Sequence, residues 1–253
     1  MIGLSSMLRK ELLEQWRTRR MLVVAVVFTA LGIGSPLLAR YTPELVKALA
    51  GDQFQIVLPP PTAADAVTQF LKNLGQAGVL TAILLAMGSV AVEKERGTAA
   101  LLLTKPVSRG AFLLAKLLAI GTTLLVGLFL AAIAGYYYTL ILFESLPPLG
   151  WAAMTGLLLL GLVAYASLTF LGSVLARSSL AAAAIGIGAM IVLAILSALP
   201  SIGPFTPGGL EAPGAALAVG KDAGAIIGPL LVNLAGVAAI FGIAWLAFRR
   251  QEL

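Results

Sequence analysis

The chain has 253 residues, of which 60% are hydrophobic and 11% charged. Its mean hydropathy is +1.01. A soluble domain carries about 25% charged residues, so this balance excludes an ordinary soluble enzyme and identifies an integral membrane protein. There is no cysteine and no histidine, which removes disulfides, thiol chemistry, the Ser–His pair and the commonest zinc ligand.

Residues 4–20 predict an amphipathic helix. Leu4, Leu8, Leu12 and Trp16 recur every fourth residue and form an apolar stripe, widened by Leu13, while Arg9, Lys10, Glu14 and Arg17 lie off it. A basic helix of this kind lies in the headgroup plane of a membrane; a plain extension of the first span is the other reading. Six apolar spans follow, at Met21–Ala39, Leu74–Val92, Phe112–Leu142, Trp151–Leu175, Leu180–Leu199 and Ile226–Phe248. Each reaches the roughly 18–20 residues that cross a bilayer. The expected fold is therefore an all-α polytopic membrane protein, a single domain over residues 1–253 with an interfacial helix before six transmembrane helices. Trp151, Tyr136, Tyr137, Tyr138 and Trp245 fall near span ends, where aromatic belts form.

The segment 40–73 reads as a long loop broken by Pro59, Pro60 and Pro61. After that break, Thr62–Leu71 predicts a helix with Ala63, Ala66, Val67 and Phe70 on one face. The segment 200–225 is rich in Pro and Gly yet apolar. It is expected to lack regular helix through its middle and to be partly re-entrant, because irregular apolar backbone beside a membrane must pack on protein or line a cavity.

Orientation follows from the basic residues. With a cytoplasmic N-terminus, thirteen of the 17 Lys and Arg residues lie inside, as the positive-inside rule requires. Both termini are then cytoplasmic, and 40–73 and 200–225 are extracytoplasmic. Loops facing anionic lipid account for the net charge of +6, and no nucleic acid partner is needed. Lys116 lies near an inner span end, and no other charge is expected deep in a span; this argues against an ion-coupled carrier. Asn233 and hydroxyls such as Ser173 are read as interhelical hydrogen-bond partners. Lys72 and Asn73 are read as solvating the outer end of the second span. Small-residue pairs at Ala182/Gly186, Ala184/Gly188 and Gly224/Gly228 are weak contact signals in a chain with 27 glycines.

The inner loop 93–110 is the most informative soluble-facing segment. Glu93, Lys94, Glu95 and Arg96 end the second span at the membrane surface, and Gly97 breaks the helix. Thr98 is a good N-cap for a turn or two over Ala99–Thr104, and Pro106 stops that turn. Ser108 caps the third span. Leu101, Leu102 and Leu103 then face the cytoplasm, as a protein docking site, or lie back on the membrane surface.

The run Glu93, Glu95, Gly97, Thr98, Leu101, Leu102, Pro106, Ser108, Arg109 and Lys116 resembles the permease subunits of the ABC type-2 transporter family. The layout of an interfacial helix and six spans agrees with that resemblance. In that family the inner loop forms a coupling helix that docks on a separate ATPase, and the N-terminal elbow helix approaches the same ATPase. The resemblance assigns ATPase docking to Glu93, Glu95, Arg96, Gly97, Thr98, Leu101, Leu102, Leu103, Pro106 and Arg109. It assigns the interfacial helix to Leu8, Leu12 and Trp16. It also implies two ATPase copies that bind ATP and Mg, a second permease copy, and a prokaryotic inner-membrane location. An extracytoplasmic accessory protein on the outer loops is compatible with it.

No catalytic, cofactor or metal site is expected in the chain itself. A P-loop needs Gly-x-x-x-x-Gly-Lys-Ser/Thr to cradle phosphates. The one Gly-Lys, Gly220-Lys221, has Ala215 at the first glycine position and Asp222 after the lysine.

Overall fold

The computed structural model describes residues 3–50, 59–97 and 108–251. The predicted coupling helix, with Thr98, Leu101, Leu102, Leu103 and Pro106, lies outside the described residues. Among these residues the fold is all-helical: α1 (Leu4–Arg17), α2 (Arg20–Ala50), α3 (Ala63–Met87), α4 (Ala91–Glu95), α5 (Arg109–Leu142), α6 (Pro148–Leu175), α7 (Ser179–Ser197), α8 (Glu211–Ala218) and α9 (Ile227–Arg249). Two 3-10 turns, Gly203–Phe205 and Gly208–Leu210, precede α8. Six stretches are long and apolar enough to cross a membrane: Arg20–Lys47, Ala63–Glu95, Arg109–Leu142, Pro148–Leu175, Ser179–Ser197 and Ile227–Arg249.

The six predicted spans reappear, the first four with longer ends and the last two within two residues of their expected bounds. The helix of the first span continues through Pro36 and Pro43 to Ala50, so the outer segment begins as helix. Thr62 starts α3, its backbone N–H donating to Asp65 Oδ2 at 2.7 Å. Ala63, Ala66, Val67 and Phe70 are all buried, as their spacing predicts. α5 has 34 residues. At about 1.5 Å per residue that exceeds the roughly 30 Å hydrocarbon core, which leaves its first turns, with Arg109 and Lys116, free to stand beyond the apolar layer.

α6 is the central helix and packs on α3, α5, α7, α8 and α9. α2 lies most extensively along α5. Their closeness comes from a stripe of small residues, Gly127, Ala131 and Gly135, facing Val24, Phe28 and Gly32. A Cβ on Gly32 would stand 2.9 Å from Ala131 Cα. Of the small-residue pairs expected from sequence, Ala182/Gly186 does lie at a contact, with Gly186 against Thr169. Gly188 and Gly224 face open space.

Three expectations are corrected. Trp151 is not a belt residue but a core one: it is buried, its indole N–H donates to Ala132 O at 3.1 Å, and it packs on Phe70 and Tyr136. Tyr136 in turn donates to Leu146 O at 2.9 Å, so each polar tip is satisfied inside the bundle rather than at a headgroup. The second correction concerns 200–225. Despite Pro213 and Gly214, residues 211–218 form helix α8, which packs on α6. Pro213 falls in the first turn, where a helix has no use for its missing N–H. The segment does pack on protein, as its apolar composition requires.

Asn73 is not a solvating group. It donates to Ser35 Oγ at 3.0 Å and accepts from Gln69 Nε2 at 2.9 Å, tying α3 to α2 beside Pro36. Asn233 and Ser173 act as the sequence predicts. Asn233 ties α9 to the 3-10 turn at Phe205 O. Ser173 Oγ accepts from the N–H groups of Val90 and Ala91 at 3.1 and 3.0 Å, where the break between α3 and α4 leaves those donors without helical partners.

Candidate functional site

The end of the bundle that carries α1 also receives the ends of α4, α6 and α9 and the start of α5. Lys116 sits two turns into α5 with its side chain 3% exposed. Its ammonium pairs with Glu11 of α1 at 3.1 Å and with Glu93 of α4 at 2.8 Å. Lys10 reaches the same carboxylates, Glu11 at 2.9 Å and Glu93 at 3.3 Å, and Glu14 at 3.4 Å. Burial pulls the Lys10 ammonium down, but the Glu11 hydrogen bond and the charges of Glu11, Glu93 and Glu14 outweigh it and leave it raised.

One atom of Glu11, Glu14 and Glu93 each falls within 4.8 Å of the others, a spacing compatible with a cation. The two lysine ammonium groups already lie against these oxygens, so the arrangement reads as an ion-pair network. Charges this buried are tolerable only when matched, and here two inner carboxylates face two ammonium groups. The network ties three elements that the sequence places 83 and 105 residues apart. It borders a cleft of about 620 Å³ that also touches Thr18, Ser89 and Arg96.

Around this junction, side chains cap the ends of neighbouring helices. Arg109 donates to the carbonyls of Phe248, Arg249 and Gln251 at 3.1, 2.8 and 3.2 Å, closing the C-terminus of α9. Lys94 donates to Val174 O and Ala176 O at 2.7 and 2.9 Å, closing α6, and Gln251 Nε2 adds a bond to Val174 O at 3.0 Å. Cations at helix C-termini also complement the helix dipole. Phe112 and Phe248 stack at 5.5 Å beneath Arg109, and Lys116 lies 5.1 Å from the Phe112 ring centroid.

The structure thus sorts the sequence-predicted docking residues. Glu95, Arg96 and Gly97 are exposed at the surface. Gly97 has φ +67, the left-handed value that ends a helix, and a side chain there is strained. Glu93 and Arg109 are instead engaged inside the junction. On α1 the buried stripe is Met7, Glu11 and Gln15, one position off the predicted apolar stripe. Leu4, Leu8 and Leu12 are half-buried, whereas Leu13 and Trp16 are exposed. A stripe of leucines looks inward on hydrophobicity alone, but the inward direction is set by Glu11, which only this face can bring to Lys116. The sequence signal for the network was Lys116 itself, a lone cation two turns inside an apolar helix. Its partners, distant in the chain, carry no local signal.

A second feature escaped sequence reading. Glu211, expected in an outer loop, lies partly buried against the middle of α3 and α6, so a charge besides Lys116 does reach inside the bundle.

Comparison with known proteins agrees with this architecture. The family described as ABC-2 family transporter protein matches residues 6–203, from α1 through α7. The uncharacterized transmembrane protein YxlG of Bacillus subtilis (strain 168) is 31% identical over 187 residues, 72% of each chain. The chain belongs to the ABC-2 family of transporter proteins, as a membrane-spanning permease subunit whose ABC transporter includes a separate ATPase subunit.

Proposed function

We propose that this permease couples ATP hydrolysis by its partner to export or lateral extraction of a hydrophobic or amphipathic molecule, and that the junction of α1, α4 and α5 receives the ATPase's motion. The observation that carries the reading is the buried Lys116–Glu11–Glu93 network, which fastens α1 to both helix ends flanking residues 98–107. A push on that loop is delivered to α3–α4 and α5 together, because rigid matched charges do not deform gradually.

In this reading the chain is not itself an enzyme. Two ATPase copies bind ATP and Mg, and a second permease completes the transmembrane unit. The exposed apolar faces of α7 and α9 offer surface for that copy and for lipid. The α1 end is cytoplasmic in a prokaryotic inner membrane, with Trp16 and Leu13 turned toward the bilayer surface beside Arg17, Arg19 and Arg20. The apolar interior favours an amphipathic substrate over a hydrated channel. Force transmission to an extracytoplasmic accessory protein is the second reading, since the 40–73 and 200–225 segments offer it a platform.

Leu102→Asp tests the docking role, which rests on the family resemblance. Purified from its host in mild detergent, the wild type is expected to bring down an ATPase. Leu102→Asp is expected to insert normally and lose the ATPase. Unchanged co-purification would refute docking through this loop. A wild type that brings down only membrane subunits would favour a scaffold without ATPase coupling.

A further inference from the structure

The 200–218 segment brings Glu211 to an open-sided cavity of about 420 Å³ that it lines together with α3, α6 and α7. That size falls in the roughly 300–1,000 Å³ range of small-molecule sites. Its walls are apolar, including Val79, Leu80, Leu158, Leu162 and Met190, with Gln76, Tyr165 and Glu211 as polar side chains. Such a balance, apolar walls with a few placed polar groups, is what ligand sites show.

The carboxylate is fitted to this place. A Cβ on Gly75 would stand 2.8 Å from Glu211 Oε1, so the glycine leaves room for the acid against the α3 backbone. A Cβ on Gly161 would likewise stand 3.1 Å from Pro207 O, so the glycine lets the irregular segment reach the middle of α6. Among the described residues, no side chain hydrogen-bonds or ion-pairs with Glu211. Burial pushes its carboxyl above the usual carboxylate range. Lys72 lines a neighbouring groove of about 430 Å³ that Glu211 also borders, but it is exposed and makes no ion pair with the acid. By contrast, every ammonium and carboxylate at the core of the α1 junction is matched. A carboxylate half-removed from water without a partner is costly, and an ionisable group inside a membrane bundle points to a ligand.

We propose that this cavity binds an amphipathic organic cation, with its positive charge at Glu211 and its hydrophobic body against the α3, α6 and α7 walls. The assignment of this cation as the exported substrate rests on the export reading above; the binding site itself does not. An arriving cation matches the one unpaired charge of the cavity, and the apolar walls reject small hydrated ions.

The test uses purified full-length protein in mild detergent and tritiated tetraphenylphosphonium, with bound probe read by scintillation proximity. Unlabelled tetraphenylphosphonium and tetraphenylborate, of matched shape and opposite charge, serve as competitors. Saturable binding is expected, displaced by the phosphonium and not by the borate. Glu211→Gln keeps the side-chain shape and is expected to weaken binding by about tenfold or more, a single close charge in a low-dielectric site supplying at least that factor. Gly75→Ala keeps the charge, displaces the carboxylate and is expected to weaken binding as well, so the site stays testable where Glu211→Gln fails to fold. Absence of saturable binding in the wild type, equal affinity in both variants, or equal displacement by tetraphenylborate would overturn the proposal. Each preparation is also scored for co-purified ATPase. ATPase present without cation binding removes this site and leaves the export reading. Cation binding without any ATPase supports the site and removes that reading.

Discussion

Lys116 shows how one residue sets a junction. An ammonium with 3% side-chain exposure persists only because two carboxylates from other elements meet it. Removing one partner of a buried ion pair leaves the others uncompensated, at about 3–5 kcal/mol. Lys116→Met is therefore expected to lower the thermal stability of the purified protein sharply. Lys116→Arg keeps the charge and is expected to retain most of it. A Lys116→Met protein that melts with the wild type would show that the network does not hold α1 in place. Lys10 is a weaker partner: with its side chain 40% exposed, solvent screens its share of the network.

Helix contacts are set by where a side chain is missing. α2 and α5 approach through Gly32 and the Gly127–Ala131–Gly135 stripe, and Gly34, on the same helix, faces open space. Gly32→Ala forces a methyl against the Ala131 backbone and is expected to cost about 1–3 kcal/mol, the range for overpacking. Gly34→Ala is expected to be neutral or slightly stabilising. Detergent melting curves of the two variants separate them, and equal curves would contradict close α2–α5 packing. The span positions were legible in the sequence because hydropathy reports them directly. The helix after Pro61 was legible because its buried face repeats with the helical period. The rotation of α1 was not, since Glu11 is buried for the sake of a partner 105 residues away. Helix α8 was hidden by Pro213 and Gly214, residues that read as breakers until their place in its first turn is known. The cavity glycines were hidden because Gly75 and Gly161 matter only through what lies opposite them.

At the scale of the whole molecule, the described residues divide into two regions with different logic. One end is a polar junction in which charges are matched and helix ends are capped. The middle is an apolar bundle with a single unpaired acid at a cavity. In the proposed function the first receives the ATPase's motion and the second holds cargo. In the proposed function the α4 end faces the ATPase, and the absence of cysteine from the sequence makes that orientation directly testable. Glu95→Cys, exposed beside the inner loop, and Leu149→Cys, 83% exposed at the opposite end, are each labelled with a maleimide–benzophenone cross-linker in native membranes and photolysed. An ATPase adduct is expected from position 95 and none from position 149; an ATPase adduct from position 149, or none from position 95 in a complex that retains its ATPase, would show that the α4 end does not face the ATPase.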